Sequence, residues 1–109
     1  MSEIVVALCT VPAEFDAGPL AKDLVDLGVA ACVSMLPGVR SVYKWQGVAE
    51  TAQEQQLVIK TTRQQVDALW TALRSRHPYD VPEFIVVPVT GGNQEYLDWV
   101  KDSVASEKP

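Results

Sequence analysis

Three side chains of this sequence are suited to binding a metal ion, namely Cys9, His77 and Glu83. A thiolate and an imidazole are good ligands for copper or zinc, and a carboxylate can supply a third ligand. Because His77 is the only histidine among 109 residues, every metal motif that needs two histidines is excluded. The sequence therefore predicts a mixed-ligand site for Cu²⁺ or another divalent cation, and no organic cofactor.

The same residues allow two other interpretations. Cys9 and His77 could act as the nucleophile and base of a hydrolase, but the sequence offers no oxyanion device, phosphate-binding loop or nucleophile elbow. We therefore predict that the chain is not an enzyme. In the plainer interpretation, Cys9 is a buried core residue, His77 forms a local hydrogen bond before Pro78, and Glu83 begins a strand in solvent.

A second group of residues could line a ligand cleft: Tyr43, Trp45, Lys60 and Tyr79, with Arg40 beside them. Tyrosine and tryptophan are enriched in protein interfaces, which favours contact with a neighbouring subunit over a small-molecule cleft. Lys60 and Arg40 could receive an anion in such a cleft, or they could protect the edge of a sheet.

Composition restricts the class of protein. With 48% hydrophobic residues, the chain can form one compact core, so we expect a single domain over residues 1–109. Fourteen acidic against nine basic residues give a net charge of −5, which argues against nucleic acid as a partner. No apolar run approaches the roughly 18 residues of a membrane span. The N-terminal residues predict a strand rather than a signal peptide, and we expect a cytoplasmic protein without membrane insertion.

The longest pattern in the sequence is a hairpin between Ala30 and Thr62. Alternating residues predict a first arm that runs to Trp45 with a kink at Pro37–Gly38, a polar loop over residues 47–53, and a return arm over residues 54–61. Strands usually have about 5–6 residues, so this hairpin should extend beyond its sheet with an unpaired edge. We expect further copies of the chain to cover that edge, which predicts a homo-oligomer.

The other elements are predicted from periodicity and capping residues. They are a central strand over residues 4–10, a helix capped by Asp16 with Leu20, Leu24 and Leu27 on its apolar side (widened by Ala21 and Val25), a helix that begins with a Thr62–Gln65 capping box, an edge strand over residues 83–89, and a last helix capped by Asn93. Together with the hairpin they give the order β-α-β-β-α-β plus a C-terminal helix, which is the α+β ferredoxin-like pattern.

This topology places the first strand between the third and the fourth. The candidate residues Cys9, Tyr43, Trp45, His77, Tyr79 and Glu83 should then lie toward one edge of the sheet. Cys32 should lie at the opposite end, so we expect no disulfide between Cys9 and Cys32.

Four segments resemble the CutA divalent-cation tolerance proteins: AACVSMLPGVRSVYKWQG at residues 30–47, VIKTT at 58–62, HPYDVPE at 77–83 and PVTGGNQEYLDWV at 88–100. The resemblance implies a cytosolic ferredoxin-like homotrimer with clefts between its subunits, linked to tolerance of copper and other divalent cations. The family is similar in build to the trimeric PII-type signal proteins. Animal relatives are connected with anchoring of a membrane enzyme, so a structural scaffold and an unknown protein partner are further alternatives.

The resemblance also assigns residues. The strand-one cysteine of the copper-binding bacterial pattern falls on Cys9, and the second histidine of its HHPY motif falls on His77. The first histidine falls on Arg76, which cannot bind a metal. With Glu83 or a neighbouring subunit as a third ligand, the implied site binds metal weakly to moderately. The main alternative is a PII-like trimer that binds a small anion or metabolite between subunits.

Overall fold

The computed structural model describes residues 3–105 and has the predicted ferredoxin-like order. The elements are β1 (Ile4–Pro12), α1 (Ala17–Asp26), β2 (Cys32–Trp45), β3 (Val48–Thr62), a 3₁₀ turn (Arg63–Gln65), α2 (Val66–Arg76), β4 (Ile85–Pro88) and α3 (Gln94–Ser103). The antiparallel sheet has the order β2-β3-β1-β4, so β1 lies between β3 and β4 as predicted. Both β2 and β4 are edge strands.

The hydrophobic core lies between one face of the sheet and the helices α1 and α2. Alternate residues of β1 and β3 point into it, and they meet Leu20 and Leu24 of α1 and Leu69 and Leu73 of α2. The strand residues of this core are Ala7, Cys9, Val11, Leu57 and Ile59. Directly paired residues share a face of the sheet, so the pairing of Cys9 with Leu57 fixes which face receives the two helices.

The opposite face of the sheet, here called the outer face, carries the remaining alternate residues. Its central part consists of Val6, Leu8, Cys32, Ser34, Val58, Lys60, Ile85 and Val87, and Thr10, Leu36 and Gln56 continue it toward the overhang. The side chains of the central part are half-buried or exposed, and two of the apolar ones, Ile85 and Val87, are 52% and 42% accessible. A sheet face of valine, leucine and isoleucine in contact with water is typical of a surface that another protein covers.

The hairpin of β2 and β3 extends well beyond the rest of the sheet. Pro12, the last residue of β1, pairs with Glu54, and beyond this point the two arms pair only with each other as far as Trp45 and Val48. This part of the hairpin, residues 40–53, is here called the overhang and is about 20 Å long at the usual rise of a strand. The chain measures 46 × 27 × 22 Å, and its radius of gyration is 14.7 Å. A compact domain of this size would have about 13 Å.

Within the hairpin, the predicted kink is confirmed and the predicted loop is wrong. The register of β2 against β3 shifts between Leu36 and Val39, where Pro37 and Gly38 interrupt the ladder. Residues 48–53 belong to β3, since the connection is a two-residue turn of Gln46 and Gly47. Both have positive φ, 51° and 82°, which is the backbone of a type I′ turn.

Three other local predictions need correction. Thr62 forms no capping bond, because it continues β3 opposite Ile4 and a 3₁₀ turn separates it from α2; the side chain of Gln65 donates instead to the carbonyl of Ala105 at 2.7 Å. The last strand is limited to Ile85–Pro88, where it pairs with β1. In α1, Asp16 is the N-cap as predicted, but Val25 and Leu27 are exposed, since only Leu20 and Leu24 face the sheet among the larger apolar residues.

Candidate functional site

Cys9 is completely buried, and its thiol lies in the core near the end of β1. Burial, together with the smaller effects of the negative charges of Glu83 and Glu54, raises the pKa of this thiol to about 12. The thiol therefore stays protonated at neutral pH. Because the thiolate is the form that binds metals, Cys9 is not prepared for that role in this chain as folded.

Both nitrogens of His77 are used in hydrogen bonds. Pro78 ends α2 at Arg76, so His77 has an extended backbone with ψ of 139° and turns its ring back toward the sheet. Its Nε2 lies 2.8 Å from the carbonyl oxygen of Thr10, and its Nδ1 accepts a hydrogen bond of 3.0 Å from the backbone N–H of Tyr79. Since Nδ1 accepts, Nε2 carries the proton and donates to Thr10. This histidine joins the 77–84 loop to the end of β1.

Tyr79 and Glu54 make a second connection between the same loop and the sheet. The Tyr79 hydroxyl donates to Oε2 of Glu54 at 2.8 Å, and Glu54 is buried, with only 7% of its surface accessible. The pKa of Tyr79 is raised to about 12, mainly by desolvation and secondly by the hydrogen bond to Glu54. The rings of His77 and Tyr79 are in contact in a tilted arrangement, with centroids 5.1 Å apart and planes at 42°. The two hydrogen bonds that join this loop to the sheet, from His77 to Thr10 and from Tyr79 to Glu54, are here called the loop clamp.

The predicted metal ligands lie at the same end of the sheet, but they are not arranged as a metal site. Glu83 is half-buried and close enough to influence the pKa of Cys9. Nevertheless, residues 3–105 contain no group of three or more histidine, cysteine, aspartate or glutamate side chains that could hold a metal ion. Arg76, on which the resemblance places a metal-binding histidine, points to α1, with its Nε 3.3 Å from Oδ2 of Asp23.

The four predicted cleft residues are not together in one chain. Tyr43 contributes to the raised pKa of Tyr79, which places it near the loop clamp, and Trp45 lies farther out at the tip of the overhang. Lys60 is on the outer face, six residues along β3 from Glu54. About 20 Å therefore separates Lys60 from Glu54, the residue to which Tyr79 is hydrogen-bonded. A single chain therefore does not bring Lys60 and Tyr79 into one cleft, and the predicted cleft between subunits stays a prediction.

Sequence reasoning missed Glu54 and the carbonyl of Thr10 as partners in this region. Glu54 occurs in the polar run TAQEQQ, where nothing distinguishes it from its neighbours. A backbone carbonyl has no sequence signature. The two cysteines are free, as predicted. They lie on opposite faces of the sheet, because Cys9 pairs with Leu57 and Cys32 with Lys60.

The pKa of His77 predicts how stability depends on pH. Burial lowers this pKa below the ordinary 6.5, because desolvation disfavours the imidazolium. The unfolded chain therefore binds more protons than the folded chain just below pH 6.5. The contribution of His77 is complete above that pH and is lost as the pH falls toward the folded pKa. We expect urea unfolding at fixed protein concentration to show a smaller loss of stability between pH 7.5 and 5.5 in His77→Gln than in the unmodified chain. Equal losses would contradict the assignment.

The geometry can now be compared with known proteins. The family model described as CutA1 divalent ion tolerance protein matches residues 5–103. The chain belongs to the CutA1 family. A divalent-cation tolerance protein CutA from Pectobacterium atrosepticum is 44% identical over 104 residues, which cover 95% of this chain and 94% of the relative. The family therefore places the chain among divalent-cation tolerance proteins.

Solved structures of CutA1 proteins have the same fold. CutA from Xylella fastidiosa is 41% identical with a TM-score of 0.89, and covers 95% of this chain and 100% of its own. A PII-like protein CutA from Nostoc sp. PCC 7120, in apo form, is 33% identical with a TM-score of 0.83, over 96% of this chain and 98% of its own. A relative from Archaeoglobus fulgidus, 28% identical with a TM-score of 0.87 over 94% of this chain and 99% of its own, is described as periplasmic.

None of the helices formed by residues 3–105 has the length and apolar character needed to cross a bilayer.

Proposed function

We propose that this chain acts in divalent-cation tolerance as a non-enzymatic, cytoplasmic homotrimer. The observation that carries the proposal is the overhang, since about 20 Å of two-stranded ribbon has no third strand beside it. A two-stranded ribbon is marginally stable alone. The exposed apolar side chains of the overhang, Val42, Trp45 and Val48, are 70%, 59% and 60% accessible. Burial of these side chains against identical copies stabilises both the ribbon and the assembly.

A closed trimer is favoured over other assemblies by two features. The overhang is at one end of the sheet, whereas β4 and the outer face are elsewhere on the chain. The overhang of one copy would therefore contact a different surface, β4 or the outer face, of the next copy. Contacts between unlike surfaces form a ring when the rotation closes. The PII-like description of the Nostoc relative supports a ring of three, the assembly of the PII-type proteins that the family resembles.

For the ion, we propose weak binding at the end of the sheet that carries Cys9, His77 and Glu83. As folded in one chain, these side chains do not fit a tightly held copper or zinc ion, because the Cys9 thiol is protonated and both His77 nitrogens are occupied. A cation there must compete with a proton and with the Thr10 hydrogen bond. Tolerance in this proposal does not depend on a permanently bound metal.

Titration with Cu²⁺, followed by calorimetry, tests the ion site. We expect weak binding that strengthens as the pH rises, since the ligands must lose protons, and further weakening in Cys9→Ala/His77→Ala. Cys32→Ala is the matched control, because it removes the other thiol, on the opposite face of the sheet, and should bind as the unmodified chain does. Stoichiometric nanomolar uptake would contradict weak binding. Unchanged uptake in the double variant would contradict the named ligands.

A second candidate function is a PII-like sensor that binds a small anion or metabolite between subunits. Two observations favour it: the exposed aromatics Tyr43 and Trp45, and the half-buried Lys60, which has no carboxylate partner among residues 3–105. In a trimer, the overhang of one copy could bring Tyr43 and Trp45 to another copy's surface. Native mass spectrometry of the purified protein distinguishes the two functions, since a retained organic anion supports the sensor and a bare trimer supports the tolerance protein alone.

A further inference from the structure

Lys60 forms a small polar cluster with Ser34 and Cys32 on the outer face. Its Nζ donates to Oγ of Ser34 at 2.8 Å and lies 3.7 Å from Sγ of Cys32. Cys32 is the direct partner of Lys60 on β2, and Val6 is its partner on β1. All three members of the cluster are half-buried in the isolated chain.

The charge of Lys60 is not balanced within the described part of the chain. The ion pairs of residues 3–105 use Lys22, Arg63 and Arg76, and none involves Lys60. Its contacts are a hydroxyl and a sulfur, which are neutral partners. Val6, its partner on β1, and Val58, two residues earlier on β3, are apolar neighbours of this ammonium on the outer face.

The proposed trimer makes this unbalanced charge significant. If neighbouring copies cover the outer face, the Lys60 ammonium loses water, and a desolvated charge is costly unless it meets an opposite charge. The chain carries a net charge of −5, yet no carboxylate of residues 3–105 forms an ion pair with Lys60, and the nearest carboxylate of β3, that of Glu54, is six residues or about 20 Å away along the strand. A bound anion is the remaining way to compensate the charge unless a neighbouring copy supplies a carboxylate.

We propose that Lys60 and Ser34, with Cys32 beside them, form a binding site for a small anion that carries phosphate or carboxylate oxygens. The proposal rests on the homotrimer described above, which closes the site. An ammonium has three N–H donors, and two of them face Ser34 and Cys32, so one remains for the anion. Ser34 accepts from Lys60 and keeps its own O–H as a second donor. The site is about 20 Å along β3 from Glu54 of the loop clamp, and it is on the opposite face of the sheet from Cys9, so it is distinct from the predicted metal ligands.

Inorganic phosphate, with citrate in a parallel series, is a suitable probe. Calorimetric titration of the full chain at constant ionic strength should give saturable binding, and Lys60→Met should weaken it by about tenfold or more, since the methionine keeps the apolar stem and removes the charge. Ser34→Ala should weaken it less, and Lys60→Arg should retain part of it. The control is Lys22→Met, on the solvent side of α1, which should bind as the unmodified chain does. Preference for phosphate or citrate identifies the class of anion.

Two further measurements separate failure of this site from failure of the trimer. Thermal unfolding without added anion should show Lys60→Met to be nearly as stable as the unmodified chain, because no opposite charge is left unpaired and the half-buried Ser34 keeps its contact with Cys32. A destabilised Lys60→Met chain that also lacks a phosphate response would indicate a carboxylate partner in a neighbouring copy and would overturn the anion site. Sedimentation reports the assembly independently: a trimer that ignores both anions overturns the site alone, whereas a monomer that binds phosphate through Lys60 overturns the trimer alone.

Discussion

Replacing Trp45 with aspartate should dissociate the trimer. Trp45 is at the tip of the overhang, pairs with Val48 and is 59% accessible in the isolated chain. In the proposed assembly, it is buried against another copy. Tryptophans at the centre of interfaces commonly contribute about 2 kcal/mol or more each. Three equivalent contacts would be lost in one trimer, which corresponds to an association about ten-thousand-fold weaker.

Sedimentation equilibrium measures this directly. The unmodified chain should sediment at three times its chain mass of 11.9 kDa, and Trp45→Asp should sediment at lower mass at micromolar concentration. Leu27→Asp is the matched control. Leu27 is a comparably exposed apolar residue, 51% accessible, but it follows α1, on the helical side of the sheet. It should leave the mass unchanged. An unmodified chain that sediments as a monomer, with the overhang in water, would remove the basis of the proposed function.

The hairpin also illustrates what the sequence could reveal and what it concealed. Its unusual length was predictable, because apolar and polar residues alternate through β2 and the turn residues lie far from Ala30. The predicted loop over residues 47–53 was too long, since Glu50, Thr51 and Gln53 are polar residues typical of loops, whereas the turn consists of Gln46 and Gly47. In the β3 arm of the overhang, no core selects apolar residues on one face, so this part of the strand has no hydrophobic alternation to detect. The Gln46–Gly47 pair was the usable signal.

The candidate site was predictable only to the level of which residues meet. The ferredoxin-like order placed Cys9, His77 and Glu83 at one end of the sheet, and the structure has them there. The order of elements could not predict whether each side chain is protonated or already hydrogen-bonded. The protonated thiol of Cys9 depends on burial, and the occupied ring of His77 depends on a carbonyl of β1, and both arise from tertiary packing. The distance of Lys60 from Tyr79 within one chain was likewise not predictable, because its position along β3 depends on the register with β1.

Among single substitutions at the loop clamp, Tyr79→Phe should have the largest effect on stability. Phenylalanine has nearly the same volume and ring as tyrosine, so the packing of the side chain is kept. The substitution removes the only hydroxyl among residues 3–105 that donates to the Glu54 carboxyl. A buried acceptor without its partner costs about 1–3 kcal/mol, and more when the group is charged. Urea unfolding at fixed protein concentration should show a loss of this size. Tyr96→Phe is the control, since Tyr96 is an exposed tyrosine of α3 that forms no hydrogen bond in the same part of the chain.

The double variant Tyr79→Phe/Glu54→Leu decides whether the loss comes from the unpaired carboxyl or from the tyrosine itself. When both polar partners are replaced by apolar groups, no buried polar atom is left without a partner, and the change can be close to neutral. We therefore expect the double variant to be more stable than Tyr79→Phe alone, although it carries one more substitution. If it is less stable by the sum of the two single effects, the hydroxyl and the carboxyl act independently, and the loop clamp does not hold the 77–84 segment through this hydrogen bond.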